Sequence, residues 1–367
     1  MPDLDFPVSV AAITPEWLTL ALGGACALGD ARVSGFDIEP VGAGVGFMAT
    51  VCRLALRYDG DPGSAPRSII AKLPSPDPGA QMISSTFKFY EKEVRFYEQV
   101  AAVNSMRSPR AYHQKFDAAS GDFALLLEDL APARNGDQVA GLTVGDAATA
   151  VAALARMQAQ WWEKPELRAL DWLPPFNDVS MQALDPVFQQ CWEPYKAFLG
   201  DSLPAELIPV GDRLATMIIP MLHQFMEKPC TFVHGDFRAD NFFFYETPTS
   251  LTVVDWQIVL RGPGMFDLAY LLAGNLSVED RRAAEGELVR LYHDTLLAGG
   301  VTGYDWETCW RDYRTFVLFG WLWPVIAIGS LDTANERGVA FFREWSRRVC
   351  TAILDLNAAE TLTDFRV

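Results

Sequence analysis

Short turns between predicted strands constrain the fold of this chain more than any other feature of its sequence. Residues 59–66 separate two strands and hold two glycines and two prolines, and residues 118–121 separate two more. Such turns can join antiparallel neighbours, whereas parallel neighbours need long crossover connections. The sequence therefore predicts an antiparallel sheet before residue 130. Its strands are expected at residues 33–41, 48–58, 68–73, 112–116 and 122–128, with a short helix at 12–24 and a longer one at 85–103.

Beyond residue 130 the pattern becomes mainly helical. Apolar residues in 143–162 recur with helical spacing, and one strand pair, at 242–254, interrupts the helices. We expect an α+β fold. Its N-terminal lobe, residues 1–130, holds the antiparallel sheet and one key helix, and its larger C-terminal lobe, residues 131–367, is mainly helical. The other helices are predicted at 181–200, 205–227, 278–298, 306–329 and 335–356.

The composition excludes several classes of protein. Lys and Arg number 30 against 47 Asp and Glu, a net charge of −17, which argues against a nucleic-acid partner bound through its phosphates. The six cysteines form no C-x-x-C pair, so a disulfide framework or zinc site is not expected, and the cytoplasm is the predicted location. The N-terminus lacks the pattern of a signal peptide. The longest apolar run, residues 316–329, is shorter than the ~20 residues that span a bilayer.

The strongest chemical signal is the segment from His234 to Asn241, which reads H-G-D-F-R-A-D-N. A predicted hairpin follows it, and Asp255 follows the hairpin. Since paired strands lie ~4.8 Å apart, Asn241 and Asp255 are expected at one end of that hairpin. An amide oxygen and a carboxylate placed together suit Mg²⁺. Asp236, just upstream, is free to receive a proton from a hydroxyl. Phosphoryl transfer uses this order of residues, whereas a chance loop of buried aspartates is the alternative.

Two segments of the first lobe have weaker signals. Gly42, Gly44 and Gly46 lie between two predicted strands, where their backbone N–H groups could approach phosphates, although flexible glycine-rich hairpins are common. A linker from Glu128 to Leu130 would expose backbone donors and acceptors to an adenine edge. By spacing alone, it is a buried strand followed by a turn.

Lys72 places a charge inside the apolar strand at 68–73. A buried charge is costly, so this lysine needs an acidic partner or an anion, unless it lies on an edge strand in solvent. The helix at 85–103 offers Glu91 and Glu93 as partners. Each interrupts an apolar stripe, and periodicity does not choose between them.

Taken together, these segments resemble the aminoglycoside phosphotransferase and choline kinase superfamily, and within it the ecdysteroid kinase-like branch and related bacterial phosphotransferases. The resemblance runs from about residue 40 to residue 275 in the family order. It is carried by Gly42 to Gly46, Lys72, Glu93 to Tyr97, Leu127 to Leu130, His234 to Asn241, Val254 to Gln257 and Gly262 to Tyr270.

The resemblance implies a two-lobed, protein-kinase-like fold that uses ATP and Mg²⁺. Under it, Asp236 is the base, and Asn241 and Asp255 are the metal ligands. Glu93 rather than Glu91 pairs with Lys72. The nucleotide-binding residues that it implies are Gly42, Gly44, Gly46, Lys72, Glu93, Glu128 and Leu130.

Three further residues receive implied or open roles. Under the resemblance, Asp267 is structural and is expected to cap the helix that follows the metal loop, and His234 braces the loop. Arg238 departs from the commoner aminoglycoside-kinase loop. It could pair with Asp240 or touch a phosphate, and the sequence does not decide.

The predicted acceptor is a hydroxyl group of a small molecule. Asp255 and Asp267 are separated by only eleven residues, and no A-P-E follows, so a protein-kinase activation segment is missing. Ten of the eleven tryptophans lie after residue 160. They suit a pocket for a hydrophobic or aromatic alcohol, although aromatic residues also dominate ordinary cores. A site for an aminoglycoside or a choline-like cation would instead require clustered carboxylates.

Two other functions compete with this hypothesis. The first is a kinase-like protein that binds nucleotide or ligand without turnover, against which the intact set Lys72, Asp236, Asn241 and Asp255 argues. The second is a regulatory or interaction module that binds no nucleotide. The acceptor, the choice between ATP and GTP, and the oligomeric state stay open at this point.

Overall fold

The computed structural model describes residues 6–25, 28–41, 48–246, 249–330 and 336–366. The chain divides into two compact units. The first comprises residues 1–133 together with 253–258, and the second comprises residues 134–252 and 259–367. The short segment 253–258 therefore belongs to the first unit, although the prediction places it in the lobe 131–367. That the lobe 1–130 binds nucleotide stays a prediction.

The first unit is built on a five-stranded sheet in which every neighbouring pair is antiparallel, as predicted. The strand order is β1-β2-β3-β5-β4, so the hairpins form locally and β5 inserts beside β3. The strands are β1 (Arg32–Pro40), β2 (Ala49–Asp59), β3 (Ser68–Pro74), β4 (Ala111–Phe116) and β5 (Phe123–Glu128).

Among the described residues of the first unit, three α-helices accompany this sheet: α1 (Pro15–Gly23), α2 (Pro78–Thr86) and α3 (Phe89–Gln99). The side chain of Thr14 caps α1 by accepting the N–H of Trp17 at 3.1 Å, as its position predicts. The single helix predicted at 85–103 is wrong, because Lys88 adopts a left-handed backbone (φ 53°) that ends one helix and starts the next. The earlier helix begins after Asp77, whose carboxylate accepts the N–H of Ala80.

One hydrophobic core joins α1 to the sheet of the first unit. Leu18 and Leu22 of α1 are fully buried and cluster with Leu54 of β2 and with Ile69 and Leu73 of β3. Since Ile69, Ala71 and Leu73 all turn into this core, β3 is a buried central strand. Lys72 therefore does not lie on an edge strand.

The second unit is mainly helical, which confirms the predicted α+β class. Its two small sheets have the orders β10-β7 and β6-β8-β9. The strands are β6 (Arg134–Asn135), β7 (Thr231–Val233), β8 (Phe242–Glu246), β9 (Thr249–Val253) and β10 (Leu260–Gly262). The helices are α4 (Val144–Trp161), α5 (Pro165–Ala169), α6 (Val179–Gln182), α7 (Leu184–Leu199), α8 (Ile208–Phe225), α9 (Met265–Asn275), α10 (Val278–Ala298), α11 (Trp306–Phe319), α12 (Leu322–Ala327) and α13 (Glu336–Asp355).

Helix α9 is the central helix of the second unit. It packs against α4, α10, α11 and α13, and ten of its eleven residues are buried. The helix predicted at 306–329 is instead split into α11 and α12, because Gly320 ends α11 and the chain turns at Trp321. In the described part of the chain, every helix is too short or too polar to cross a membrane.

Helices α7 and α8 pack closely at Gly211, so a substitution at this residue tests the packing of the second unit. A Cβ atom at residue 211 would overlap the indole ring of Trp192, which Asp212 holds through a 2.7 Å hydrogen bond to Nε1. We therefore expect Gly211→Ala to lower the free energy of unfolding by about 1–3 kcal/mol through overpacking. The matched control is Gly286→Ala in α10, where a Cβ meets nothing within 4 Å. It should raise stability by about 1 kcal/mol. Equal thermal midpoints for the two variants would contradict the packing.

Candidate active site

The segment from His234 to Asn241 forms a tight loop between β7 and β8. Gly235 has a backbone φ of 85°, which a residue with a side chain rarely adopts, so glycine is needed here. A 3₁₀ turn, Ala239–Asn241, closes the loop before β8 starts at Phe242. Asp236 and Asn241 thus lie on one compact turn in the second unit.

Asp267 holds this loop through its backbone. Its carboxylate accepts the N–H of His234 at 2.8 Å and the N–H of Gly235 at 2.9 Å, and the Gln158 amide nitrogen donates to it at 3.2 Å. Burial raises the pKa of Asp267 to about 7, although these donors favour its ionised form. The expected role of Asp267 as a helix cap is wrong. The residue lies in the first turn of α9, and its side chain binds the loop instead.

The Asp236 carboxylate has donors on both oxygens. Oδ2 accepts Nε of Arg238 at 3.0 Å and Nδ2 of Asn241 at 3.1 Å, and Oδ1 accepts the hydroxyl of Tyr270 at 3.2 Å. Burial works against ionisation, but the Arg238 guanidinium outweighs it and lowers the pKa of Asp236. The carboxylate is therefore ionised at neutral pH and fixed in orientation.

Arg238 and His234 both stabilise the loop from within. The guanidinium of Arg238 bridges Asp236 to Asp240, with 2.5 Å between its Nη1 and Oδ2 of Asp240. Pairing with Asp240 was one of the two roles left open by the sequence. His234 is fully buried, and its Nδ1 accepts the backbone N–H of Asp236 at 3.2 Å. This contact is structural, since it fixes the backbone at the aspartate.

In the first unit, Lys72 lies between two carboxylates. Its Nζ is 2.6 Å from Oε2 of Glu93 on α3 and 2.7 Å from Oδ1 of Asp255. Burial alone would lower the pKa of Lys72, but the Asp255 and Glu93 carboxylates outweigh it and raise the pKa. Burial also raises the pKa of Glu93. The lysine thus remains charged in a nearly solvent-free setting.

The two glutamates of α3 have different surroundings. Glu93 is 1% exposed and faces Lys72, whereas the side chain of Glu91 is 25% exposed and lies 3.9 Å from Arg95. Burial therefore distinguishes them where periodicity did not. Glu93 is the partner that the family resemblance implies.

Asp255 is held by its own segment of the first unit. It adopts a left-handed backbone with φ 65°, a conformation that is uncommon outside glycine and found at functional sites. The next residue, Trp256, stacks on Phe96 of α3 with 4.0 Å between ring centroids, and Gln257 Nε2 donates to Oδ2 of Asp255 at 3.3 Å. Stacking thus ties this segment to the helix that carries Glu93.

The structure gives less information on the other residues that are predicted to bind the nucleotide. The Glu128 carboxylate binds Arg107 at 2.9 Å and accepts the N–H of Arg110 at 3.1 Å, so its side chain has a structural role. Leu130 is buried, and its carbonyl accepts the N–H of Ala133. Their contact with adenine stays a prediction. The loop with Gly42, Gly44 and Gly46 lies outside the described residues.

Two predicted ligands have the oxygens that Mg²⁺ requires. Asn241 donates through Nδ2 to the carbonyl and to the carboxylate of Asp236, so its amide oxygen is the atom able to bind a cation. Each carboxylate oxygen of Asp255 keeps a further lone pair beside its Lys72 or Gln257 contact. Since Mg²⁺ is usually held by one or two protein ligands with phosphate oxygens, these side chains fit the ion. Across the described residues, no three His, Cys, Asp or Glu side chains form a metal cluster.

Sequence reasoning did not assign a role to Tyr270, Gln158 or Gln257. Tyr270 follows Asp267 by three residues, which places both side chains on one face of α9. That spacing is the signal that could have found it. No sequence spacing pointed to Gln158 on α4 or to Gln257. The partner of Gln158, Asp267, is distant in the chain, and the partner of Gln257, Asp255, is only two residues away.

Comparison with known proteins confirms the stated resemblance and the kinase-like fold. The model of the ecdysteroid kinase-like family matches residues 43–299. A protein from Ralstonia eutropha assigned as an aminoglycoside phosphotransferase is 17% identical with a TM-score of 0.53, covering 91% of this chain and 96% of that one. Plasmodium vivax ethanolamine kinase is 12% identical with a TM-score of 0.52, covering 94% and 86%.

A third similar structure is the GDP and kanamycin complex of APH(2″)-IIIa. It is 14% identical with a TM-score of 0.52, covering 90% of this chain and 94% of that one. At these identities the likeness shows the fold alone. No curated protein matches this chain.

A substitution at Asp267 tests whether its hydrogen bonds anchor the loop. In Asp267→Asn, one amide oxygen replaces a carboxylate, and a backbone N–H is left without an acceptor. We expect the free energy of unfolding to fall by about 1–3 kcal/mol and the His234 and Gly235 amides to exchange hydrogen faster. The matched control is Asp312→Asn, an equally buried aspartate held by Lys228 and Tyr304. It should lose stability without faster exchange at those two amides. Unchanged exchange in Asp267→Asn would contradict the anchor.

Proposed function

Because the chain belongs to the ecdysteroid kinase-like family, we propose that it is a phosphotransferase that moves the γ-phosphoryl group of ATP to a hydroxyl group of a small molecule. The observation that carries the proposal is the buried Lys72 ammonium between Glu93 and Asp255. Such a triad costs desolvation energy, and perturbed charges of this kind cluster at functional sites. The pair of Lys72 with Glu93 also matches the lysine–glutamate ion pair by which kinases hold a phosphate-binding lysine.

Under this proposal, each residue that is predicted to bind the nucleotide has a specific role. Lys72 binds the α- and β-phosphates, and Glu93 orients its ammonium. The backbone of the loop with Gly42, Gly44 and Gly46 approaches the phosphates. The backbone from Glu128 to Leu130 faces the adenine edge. Asn241 and Asp255 would hold Mg²⁺, which neutralises the phosphate oxygens when bound.

Asp236 supplies the base for the transfer. As the acceptor oxygen bonds to the γ-phosphorus, its O–H bond breaks and the proton passes to the Asp236 carboxylate. The bond from the γ-phosphorus to the β–γ bridging oxygen breaks, and ADP leaves. Since phosphoryl transfer depends mainly on positioning, the fixed orientation of Asp236 suits this role.

The acceptor that we propose is a hydrophobic or aromatic alcohol. Tyr270, which contacts Asp236, packs against Phe266 at 6.0 Å and against Trp345 at 6.2 Å between ring centroids. Phe341 in turn stacks on Trp345 at 5.7 Å. Phe266 and Trp345 are buried, as are Trp192 and Trp321, whereas Tyr270 and Phe341 are only partly buried. Partly buried aromatic rings near the base favour an apolar acceptor over an aminoglycoside or a choline-like cation.

Asp236→Asn separates catalysis from nucleotide binding. We expect turnover to fall by about 10²–10⁴-fold, because the proton acceptor is lost. Stabilisation by Mg²⁺ with ATP should survive, and a nucleotide at 100 times its dissociation constant adds about 2.7 kcal/mol. ADP release is measured with cholesterol, 2-phenylethanol, choline and kanamycin as acceptors. Thermal midpoints are measured with ATP and with GTP.

The control for this substitution is Asp294→Asn, an exposed aspartate of α10. It should leave both turnover and binding unchanged. Full turnover in Asp236→Asn would show that the base is another residue. If the wild-type protein gains no magnesium-dependent stability from either nucleotide, the phosphotransferase proposal itself is wrong and a non-catalytic module is favoured.

The pair Glu93→Gln and Glu91→Gln tests the lysine triad. Glu93→Gln removes a charged partner of Lys72, which is worth about 1.5–3 kcal/mol, so the dissociation constant for Mg²⁺ with ATP should rise about 10–100-fold. Glu91→Gln, two residues away on the same helix, should leave it unchanged because Glu91 forms a long ion pair, 3.9 Å, with the half-exposed Arg95. Both constants are measured by titration calorimetry. Equal effects would contradict the assignment of Glu93.

A further inference from the structure

The two oxygens of the Asp236 carboxylate have different partners. Oδ2 is occupied by two nitrogen donors, Nε of Arg238 and Nδ2 of Asn241. Oδ1 has one described donor, the hydroxyl of Tyr270 at 3.2 Å. Because a carboxylate oxygen offers two lone pairs, Oδ1 has room for one further hydrogen bond. The geometry therefore distinguishes the two oxygens before any acceptor arrives.

The Oδ2 side is fixed by a network of its own. Nη1 of Arg238 also donates to Oδ2 of Asp240 at 2.5 Å and to Oε1 of Gln138 at 3.2 Å. A guanidinium held at three points is a rigid donor, since its nitrogens lie in one plane. Rotation of the Asp236 carboxylate would break these bonds. The oxygen that can accept a hydrogen bond from the acceptor hydroxyl is therefore Oδ1.

Tyr270 reaches Oδ1 from the helix that also anchors the loop. Asp267, one turn earlier on α9, accepts the amides of His234 and Gly235, so the loop and the tyrosine share one rigid support. The phenol ring is held between Phe266 and Trp345. Burial raises the pKa of Tyr270 well above its usual range, and the neighbouring Asp236 raises it further. The hydroxyl therefore keeps its proton and donates it to Oδ1.

We propose that Tyr270 is a positioning residue for the phosphoryl transfer, whose hydroxyl fixes Oδ1 of Asp236 as the atom that receives the proton of the acceptor. The inference rests on the proposed function and deepens it. One lone pair of Oδ1 accepts from Tyr270, and the other accepts the proton as the acceptor oxygen bonds to the γ-phosphorus. Tyr270 exchanges no proton itself and acts through Asp236.

Tyr270→Phe tests the inference, because it keeps the ring and removes one hydrogen bond. With Mg²⁺ and ATP, and the panel alcohol that the wild-type protein phosphorylates fastest, kcat should fall about tenfold. The KM for ATP should stay within a factor of about two, because the nucleotide residues are untouched. The matched control is Tyr313→Phe, which also removes a buried tyrosine-to-carboxylate bond, 2.6 Å from its hydroxyl to Glu285. It should leave kcat unchanged.

A double variant separates positioning from a structural role. If Tyr270 acts through Asp236, Tyr270→Phe should have no further effect on kcat in the Asp236→Asn protein. A merely structural tyrosine would lower kcat by the same factor in both backgrounds, and that result would overturn the inference. So would an unchanged kcat in the single variant. A wild-type protein without turnover on any panel alcohol would overturn the proposed function instead, before the tyrosine is in question.

Discussion

The hydrogen bonds from the His234 and Gly235 amides to Asp267 are the interaction on which the second unit's site depends. A carboxylate buried in a helical core is costly unless donors satisfy it, and backbone N–H groups are donors that cannot move away. The loop is thereby attached to α9, a helix with ten of its eleven residues buried. The positive φ of Gly235 is the local condition for this attachment, because it turns two successive amides toward one side chain.

The first unit also holds a buried charge that its partners compensate, but here the charge is positive. Lys72 comes from a central strand whose other side chains form the core, so its ammonium has lost most of its water. Two carboxylates compensate it, one from a helix and one from a segment 183 residues further along the chain. Because breaking a buried ion pair leaves an uncompensated charge, each of the three groups depends on the other two. Under the proposed function, a phosphate anion would meet an ammonium that is already desolvated.

The site residues differed in how well the sequence revealed them. Asp236, Asn241 and Asp255 stand at short, fixed spacings around a hairpin, and local chain geometry makes that pattern readable. Periodicity did not distinguish Glu91 from Glu93, because both interrupt an apolar stripe; the family resemblance implied Glu93, and packing buries that residue. Asp267 was recognised but given the wrong contact: the preference of aspartate for helix starts is local, whereas its real partners lie more than thirty residues earlier.

Local patterns in the chain were enough to predict the antiparallel sheet, the helical second unit and the family resemblance, because short turns, periodicity and residue spacing act over a few neighbouring positions. These patterns did not place the break at Lys88, where a left-handed backbone interrupts a continuous helical pattern, or the end of α11 at Gly320. The folded structure alone revealed what Asp267 binds and that Tyr270 reaches Asp236, and it buries Glu93, the partner that the resemblance implied for Lys72. These contacts join residues far apart in the chain, and burial, which no local pattern encodes, selects among the candidates.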